Sequence, residues 1–313
     1  MRALVTGVAG FVGSSISATL LAEGWDVVGI DALTDYYDVA LKEENLARLG
    51  EDFSLVRAAL QDVNLPALLA DVDVVFHQAG QPGVRSSWGQ EFGVYLDANV
   101  AATQALLEAA RLSPRLQRIV YASSSSVYGD AETFPTSELD RPAPISPYGV
   151  TKLAAEHLCS LYASQFGVPT VSLRYFTVFG PRQRPDMAFT RFLTAAATGE
   201  PVTVFGTGEQ VRDFTFIEDV VAANVLAATT DVKPGTVLNI AGGTNVSVNE
   251  VLEEIGGLAG GSVAVRRLDR SDGDVARTGG DASRARELLG WVPTVGIREG
   301  LAKQWEWVRD RRA

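Results

Sequence analysis

Cysteine is nearly absent from this chain: Cys159 stands alone, so no internal disulfide can form and a reducing compartment is implied. In a helical stretch it reads as a small buried apolar side chain rather than a reagent. Positive charge is also in deficit. With 27 basic and 38 acidic residues the net charge is −11, which argues against a nucleic-acid partner, since such proteins carry a basic face. No run approaches the roughly 20 apolar residues of a membrane span. A strand begins almost at the first residue, which leaves no room for a leader peptide, and a cytoplasmic protein is expected. There is no internal repeat and no low-complexity tract. What is present is the composition of a soluble globular protein, 46% hydrophobic and 21% charged over 313 residues. That length suffices for one large core and a smaller lobe.

The first half alternates β-branched runs with amphipathic segments. Strands are predicted at Arg2–Thr6, Asp26–Ile30, Phe53–Arg57, Asp73–His77, Arg118–Ser123 and Thr170–Arg174. Helices are predicted at Phe11–Glu23, Tyr95–Arg111 and Tyr148–Phe166. Such alternation means an α/β fold, a doubly wound parallel sheet of Rossmann type covered on both faces, with right-handed crossovers. After about residue 175 the regularity fails at Gly180-Pro181, Gly199-Glu200-Pro201 and Gly206-Thr207-Gly208. The expected division is residues 1–175 for the sheet domain, with some later segments returning to it, and 176–313 for a smaller α/β substrate lobe.

Strand one runs into Gly7-Val8-Ala9-Gly10-Phe11-Val12-Gly13. Tight turning, close approach of backbone to a pyrophosphate, and a helix N-terminus offering free N–H groups all require residues without a Cβ. Asp31 closes strand two, where a carboxylate would accept hydrogen bonds from ribose hydroxyls. Ala32-Leu33-Thr34 follow, so a 2′-phosphate has no counter-charge there, and NAD is favoured over NADP. Asp62 and Val63, just past strand three, are expected to bracket the adenine; a solvated turn is the alternative.

Tyr148 and Lys152 stand four apart at the start of a helix whose first turn holds Pro147. An ordinary phenol is a poor base near neutrality. A neighbouring ammonium and an oxidised nicotinamide would bring it into range. That spacing alone arises in many helices by chance. Here it accompanies Ser123-Ser124-Ser125-Ser126 at the carboxyl end of a predicted strand, where ligands bind in parallel sheets.

With the glycine turn, the serine run and the Tyr-x-x-x-Lys pair together, the chain resembles the extended short-chain dehydrogenase/reductase family over nearly its whole length. The resemblance implies tightly held NAD that is not consumed, a UDP-sugar substrate, no metal and a homodimer. It implies Tyr148 as base, Lys152 as the residue tuning it and binding the nicotinamide ribose, and Ser124 and Ser126 as hydroxyls at the sugar. Further cofactor contacts would come from Ala79, Gly80, Asn99, Ser123 and Tyr175. The implied chemistry oxidises the sugar C4 hydroxyl to a ketone, turns the sugar about its pyrophosphate, and reduces the opposite face.

Nucleotide-sugar 4,6-dehydratases of this family carry Asp-Glu where this chain has Ser125-Ser126, and UDP-glucuronate decarboxylases place Glu at position 126. Both carboxylates are missing, which favours an enzyme that only oxidises and re-reduces. The stretch Arg174-Tyr175-Phe176-Thr177-Val178-Phe179-Gly180-Pro181, continuing to Arg184 and Ala188, resembles the UDP-glucuronate 4-epimerase signature. Thr177 there replaces an Asn usual in UDP-galactose 4-epimerases. Arg184 would fork the sugar carboxylate and reject a neutral hexose. Arg85 is implied at the sugar or pyrophosphate, Thr203 and Phe205 at the uracil, Gln210 and Arg212 at the pyrophosphate, and Asp274 and Arg277 near the uridine ribose and phosphate. Gln78 and Pro82 depart from the family's usual residues, and His77 reads as a packed histidine. Epimerisation of a neutral UDP-hexose or its N-acetylated analogue stays open, as does, remotely, a non-catalytic NAD-binding regulator.

Overall fold

The computed structural model describes residues 1–50, 53–269, 275 and 277–311. Strand formation follows the short β-branched runs: β1 (Arg2–Thr6), β2 (Asp26–Asp31), β3 (Ser54–Arg57), β4 (Val74–His77), β5 (Arg118–Ser124) and β6 (Thr170–Tyr175). Each lies within a residue of its predicted place. Beyond them come β7 (Thr177–Phe179), β8 (Val202–Phe205), β9 (Val211–Phe216), β10 (Thr236–Ile240), β11 (Thr244–Ser247) and β12 (Val265–Leu268). The main sheet has seven strands in the order β10-β6-β5-β4-β1-β2-β3, and every pairing in it is parallel. The α/β doubly wound expectation is borne out.

Successive residues of a strand face opposite sides, so a parallel sheet needs cover on both. Ala3 and Val5 pack into one core with Ile16 and Leu20. Leu4 packs into the other with Leu106, Ala155 and Cys159. Strand β10 enters the sheet from sequence far beyond residue 175. The remaining strands form two small sheets, β11-β9-β7 and β12-β8.

One element differs from its prediction. The segment read as a helix over Tyr95–Arg111 is an α-turn at Phe92–Tyr95, a π-helical stretch at Leu96–Ala101 and an α-helix at Ala102–Ala110. The π stretch carries buried Asn99. Its Nδ2 donates to Gln81 O at 3.1 Å and to Thr151 Oγ1 at 2.9 Å, while its Oδ1 accepts from Gln81 N at 2.7 Å. Apolar periodicity cannot separate 3.6 residues per turn from a local widening of this kind.

Candidate active site

The strand order reverses between β1 and β4, and the loops at their carboxyl ends open a crevice there. Gly7 takes a left-handed φ of 67°, and a Cβ on it would stand 2.8 Å from Ala79 N. Only glycine lets the two loops meet. The helix Phe11–Ala22 follows with Gly10 as an N-cap that provides no side-chain hydrogen bond. The first-turn N–H groups of Phe11, Val12 and Gly13 therefore lack intrahelical partners, and these residues line a cleft of about 290 Å³. Asp31 lines the same cleft. Its carboxylate accepts from Ala9 N at 3.0 Å and Leu33 N at 2.8 Å, which fixes it beside the turn.

Ala79, Gly80, Asn99, Ser123, Tyr148, Lys152 and Tyr175 also line this first cleft. Gly80 must stay small, because a Cβ there would lie 2.7 Å from Asn99 Oδ1. Asp62 and Val63 do not belong to the lining. Asp62 is exposed, Val63 packs against the core, and the wall is made by Ala58, Ala59, Leu60 and Gln61 instead. Sequence reasoning missed Tyr36, Tyr37 and Lys42, which also line the cleft. Lys42 Nζ is buried, donates to Thr34 O at 2.6 Å, and lies 4.9 Å from the Tyr37 ring centroid. No spacing rule links Lys42 to Asp31 across the intervening loop.

A second cleft of about 680 Å³ shares Phe11, Val12, Ser123, Tyr148, Tyr175 and Arg184 with the first. Ser124, Ser126, Thr177, Ala188, Thr203, Phe205, Gln210, Arg212 and Arg85 line it too. Gln210 Nε2 donates to Phe205 O at 3.0 Å, and Arg212 Nη2 to Val275 O at 2.7 Å. The Arg85 guanidinium lies 4.1 Å from the Phe205 ring centroid, tying the loop after β4 to β8. Arg277 is brought beside Val211 by a backbone bridge. Its guanidinium stacks 3.2 Å from the Phe134 centroid, outside the lining of the cleft. Asp274 lies outside the described residues.

Tyr148 stands where the clefts join, on the helix Pro147–Phe166, which Ser146 caps by accepting from Gly149 N at 3.1 Å. Burial raises the Tyr148 phenol above its ordinary pKa; a hydrogen bond with Ser124 and the field of Arg184 pull the other way. Arg184 thus stands as one cation whose field favours the phenolate. Lys152 Nζ lies 4.6 Å from the Tyr121 ring centroid, and burial brings its ammonium down to about 8.

Beneath these groups lies a buried ion pair that sequence reasoning did not single out. Arg174 donates to Glu156 through Nη2 at 2.6 Å and Nε at 2.9 Å, and Ser123 Oγ donates to the same carboxylate at 2.6 Å. Arg174 Nη1 also donates to Tyr128 Oη at 2.6 Å. A glutamate four residues past Lys152, on the face that packs on the sheet, was the available signal. The pair fixes Ser123 and the helix bearing Tyr148 to β6.

Arg184 does not wait unpaired. Its Nε donates to Asp186 Oδ1 and its Nη2 to Asp186 Oδ2, both at 3.0 Å. Burial works against the guanidinium charge, but these bonds hold its pKa above the ordinary value. Among the described residues no group of His, Cys, Asp and Glu side chains could hold a metal ion, and no helix is long and apolar enough to cross a membrane.

Residues 3–241 match the NAD dependent epimerase/dehydratase family. The chain is 41% identical over 307 residues to the Uncharacterized UDP-glucose epimerase YtcB of Bacillus subtilis, covering 97% of this chain and 96% of that protein. It is 41% identical to UDP-Glucuronic acid 4-epimerase from Bacillus cereus, solved with UDP-glucuronic acid and NAD. The TM-score is 0.95, with 99% of this chain and 100% of that one covered. MoeE5 solved with UDP-glucose and NAD is 42% identical, with a TM-score of 0.91 and all of both chains covered.

Proposed function

The chain belongs to the NAD dependent epimerase/dehydratase family, and from that premise we propose that it interconverts UDP-glucuronic acid and UDP-galacturonic acid by epimerisation at C4. The observation that carries this reading is the Arg184 guanidinium at the join of the two clefts, already gripping a carboxylate side-on within reach of the Tyr148 phenol.

The first cleft fits NAD. The open amides of Phe11, Val12 and Gly13 suit a pyrophosphate, Asp31 and Lys42 suit the adenosine ribose hydroxyls, and Lys152 with Tyr148 suits the nicotinamide ribose. When bound, NAD⁺ takes hydride from the sugar C4 and returns it, so it is regenerated in each turnover. Tyr148 Oη accepts the proton of the C4 hydroxyl, directly or through Ser124 Oγ. Burial opposes the phenolate, so its formation depends on the positive groups near it. Below pH about 8 Lys152 keeps its ammonium on the face shared with Tyr148. Ser123 is locked by Glu156 and holds the end of β5 still. Arg184, Thr177 and Ser126 would grip the sugar, and Arg212 with Gln210 would retain the pyrophosphate while the keto sugar turns over. Positions 125 and 126 offer hydroxyls and no carboxylate, so nothing there supplies the acid and base that expulsion of water would need.

A second reading, a neutral UDP-hexose, is favoured by one observation: Asp186 already neutralises Arg184. We also propose a homodimer formed through Phe92–Ala110 and Pro147–Phe166, whose outer faces expose Val94, Leu96, Val150 and Leu161. The lone buried cysteine fits the cytoplasm. Incubation with UDP-glucuronate, UDP-glucose and UDP-N-acetylglucosamine, with the C4 epimers resolved by NMR, tests the activity. Interconversion of the uronates is expected; the absence of any C4 epimer from all three sinks the reading.

A further inference from the structure

We propose that Asp186 is a specificity-determining residue: an internal carboxylate that occupies the Arg184 fork and sets how strongly the second cleft prefers a sugar acid over a neutral hexose. The inference rests on the reading of the chain as a UDP-sugar 4-epimerase.

The geometry is that of a ligand mimic. Both Asp186 oxygens take the Nε/Nη2 edge of the guanidinium at 3.0 Å, the side-on arrangement a free carboxylate would adopt. Both residues line the second cleft, and Arg184 lines the first as well, so the pair sits beside Tyr148 and not on a remote surface. The Arg184 side chain is 21% exposed and that of Asp186 is 37%, so the tethered carboxylate is the better hydrated partner and the one able to swing out.

Two consequences follow for the two substrate classes. A uronate must either displace Asp186 or share the guanidinium with it, and two carboxylates crowded on one cation repel each other. A sugar acid is therefore held less tightly than an open fork would hold it. A neutral hexose, by contrast, leaves Arg184 satisfied. Without Asp186 its binding would strip water from an unpaired guanidinium, which is costly. Asp186 thus lowers the preference that Arg184 alone would impose.

The test is Asp186→Asn, which keeps the side-chain shape and removes the charge, with Asp186→Ala as a second variant. Steady-state kinetics are measured with UDP-glucuronate and UDP-glucose, alongside bound NAD content and thermal melting of each protein. In both variants KM for the uronate is expected to fall about tenfold with kcat nearly unchanged, while kcat/KM for the hexose falls about tenfold, as loss of one charge-assisted contact predicts. A common factor for both substrates, or a higher uronate KM, would overturn the assignment and make Asp186 a mere support for the Arg184 loop. Wild-type protein that epimerises none of the UDP-sugars sinks the activity reading itself. Wild-type turnover with an unmoved preference in both variants sinks only the role of Asp186.

Discussion

The two clefts that meet at Tyr148 are built by different means. The first is largely backbone: a glycine turn, an uncapped helix start and strand ends, brought together by sheet pairing between Thr6 and His77. The second is side chains supplied by separate segments, from Arg85 through Ser124 and Arg184 to Phe205 and Arg212. Backbone amides cannot be exchanged by substitution, whereas side-chain contacts can be altered one at a time. The first cleft is therefore suited to a ligand that stays the same, and the second to one that differs among relatives.

Changes at the join should act on chemistry alone and give the largest effect. Tyr148→Phe is expected to lower kcat about a thousandfold while the purified protein keeps its bound NAD, read from the absorbance of the released cofactor. Near-normal turnover would break the assignment of the base. A change confined to the second cleft should divide substrates and spare the cofactor. Arg184→Ala is expected to lower kcat/KM for UDP-glucuronate about a hundredfold, the size of a lost bidentate charged contact, and that for UDP-glucose much less. Arg184→Lys should recover only part of this, because an ammonium cannot fork a carboxylate. Equal losses for both sugars would show that Arg184 supports the loop and does not read the acid.

The reverse asymmetry is expected in the first cleft. Gly7→Ala forces a Cβ to within 2.8 Å of Ala79 N at a φ of 67°, where L side chains are strained. A cost of about 1–3 kcal/mol in stability is expected, with weakened NAD binding but an unchanged sugar preference at saturating NAD. Titration of added NAD and paired kinetics with both sugars would check it. A variant that binds NAD normally would show that the loops can part.

The same contrast explains what the sequence made legible. Gly7, Gly10, Gly13 and Asp31 sit at strand ends, where spacing along the chain dictates spacing in space. Tyr148 and Lys152 share a helical face for a similarly local reason. The turn after β3 tightens into a 3-10 turn, so Ala58–Gln61 line the cleft ahead of Asp62 and Val63. Lys42 escaped notice because a loop and a helical turn bring it to Asp31, and no periodicity reports that. Asp186 was visible two residues from Arg184, yet whether such neighbours pair or point apart depends on loop dihedrals that composition does not encode. Arg277 illustrates a related point: a guanidinium stacked on an aromatic ring looks, in sequence, the same as one offered to phosphate.

The expected effect furthest from the chemistry lies beneath the first cleft, where His77 reads as packing. Its Nδ1 meets Thr6 Oγ1 at 2.8 Å, and its Nε2 meets Thr103 Oγ1 at 2.9 Å. Thr6 Oγ1 accepts from Ala79 N at 3.0 Å, so its own proton is free to donate to Nδ1. Thr103 Oγ1 donates to Asn99 O at 2.7 Å, so it accepts from Nε2. The network thus assigns the proton to Nε2, and a second proton on Nδ1 would force the Thr6 hydroxyl to turn its own proton away from the ring. Burial, with Lys152 adding to it, accordingly holds the imidazole down to about 3. In the unfolded chain it titrates near 6.5, so the unfolded state binds the proton first. The stability tied to neutral His77 is complete above about pH 6.5 and drains away as pH falls toward 3, by about 1.4 kcal/mol per pH unit. His77→Gln removes the titrating group. Urea unfolding of both proteins at intervals between pH 7 and pH 5 should show the wild type losing about 2 kcal/mol more than the variant, with the slope approaching about 1.4 kcal/mol per pH unit only toward pH 5. Parallel curves would mean that the imidazole finds a proton acceptor on opening, and that the first cleft is less rigid at its base than its backbone construction implies.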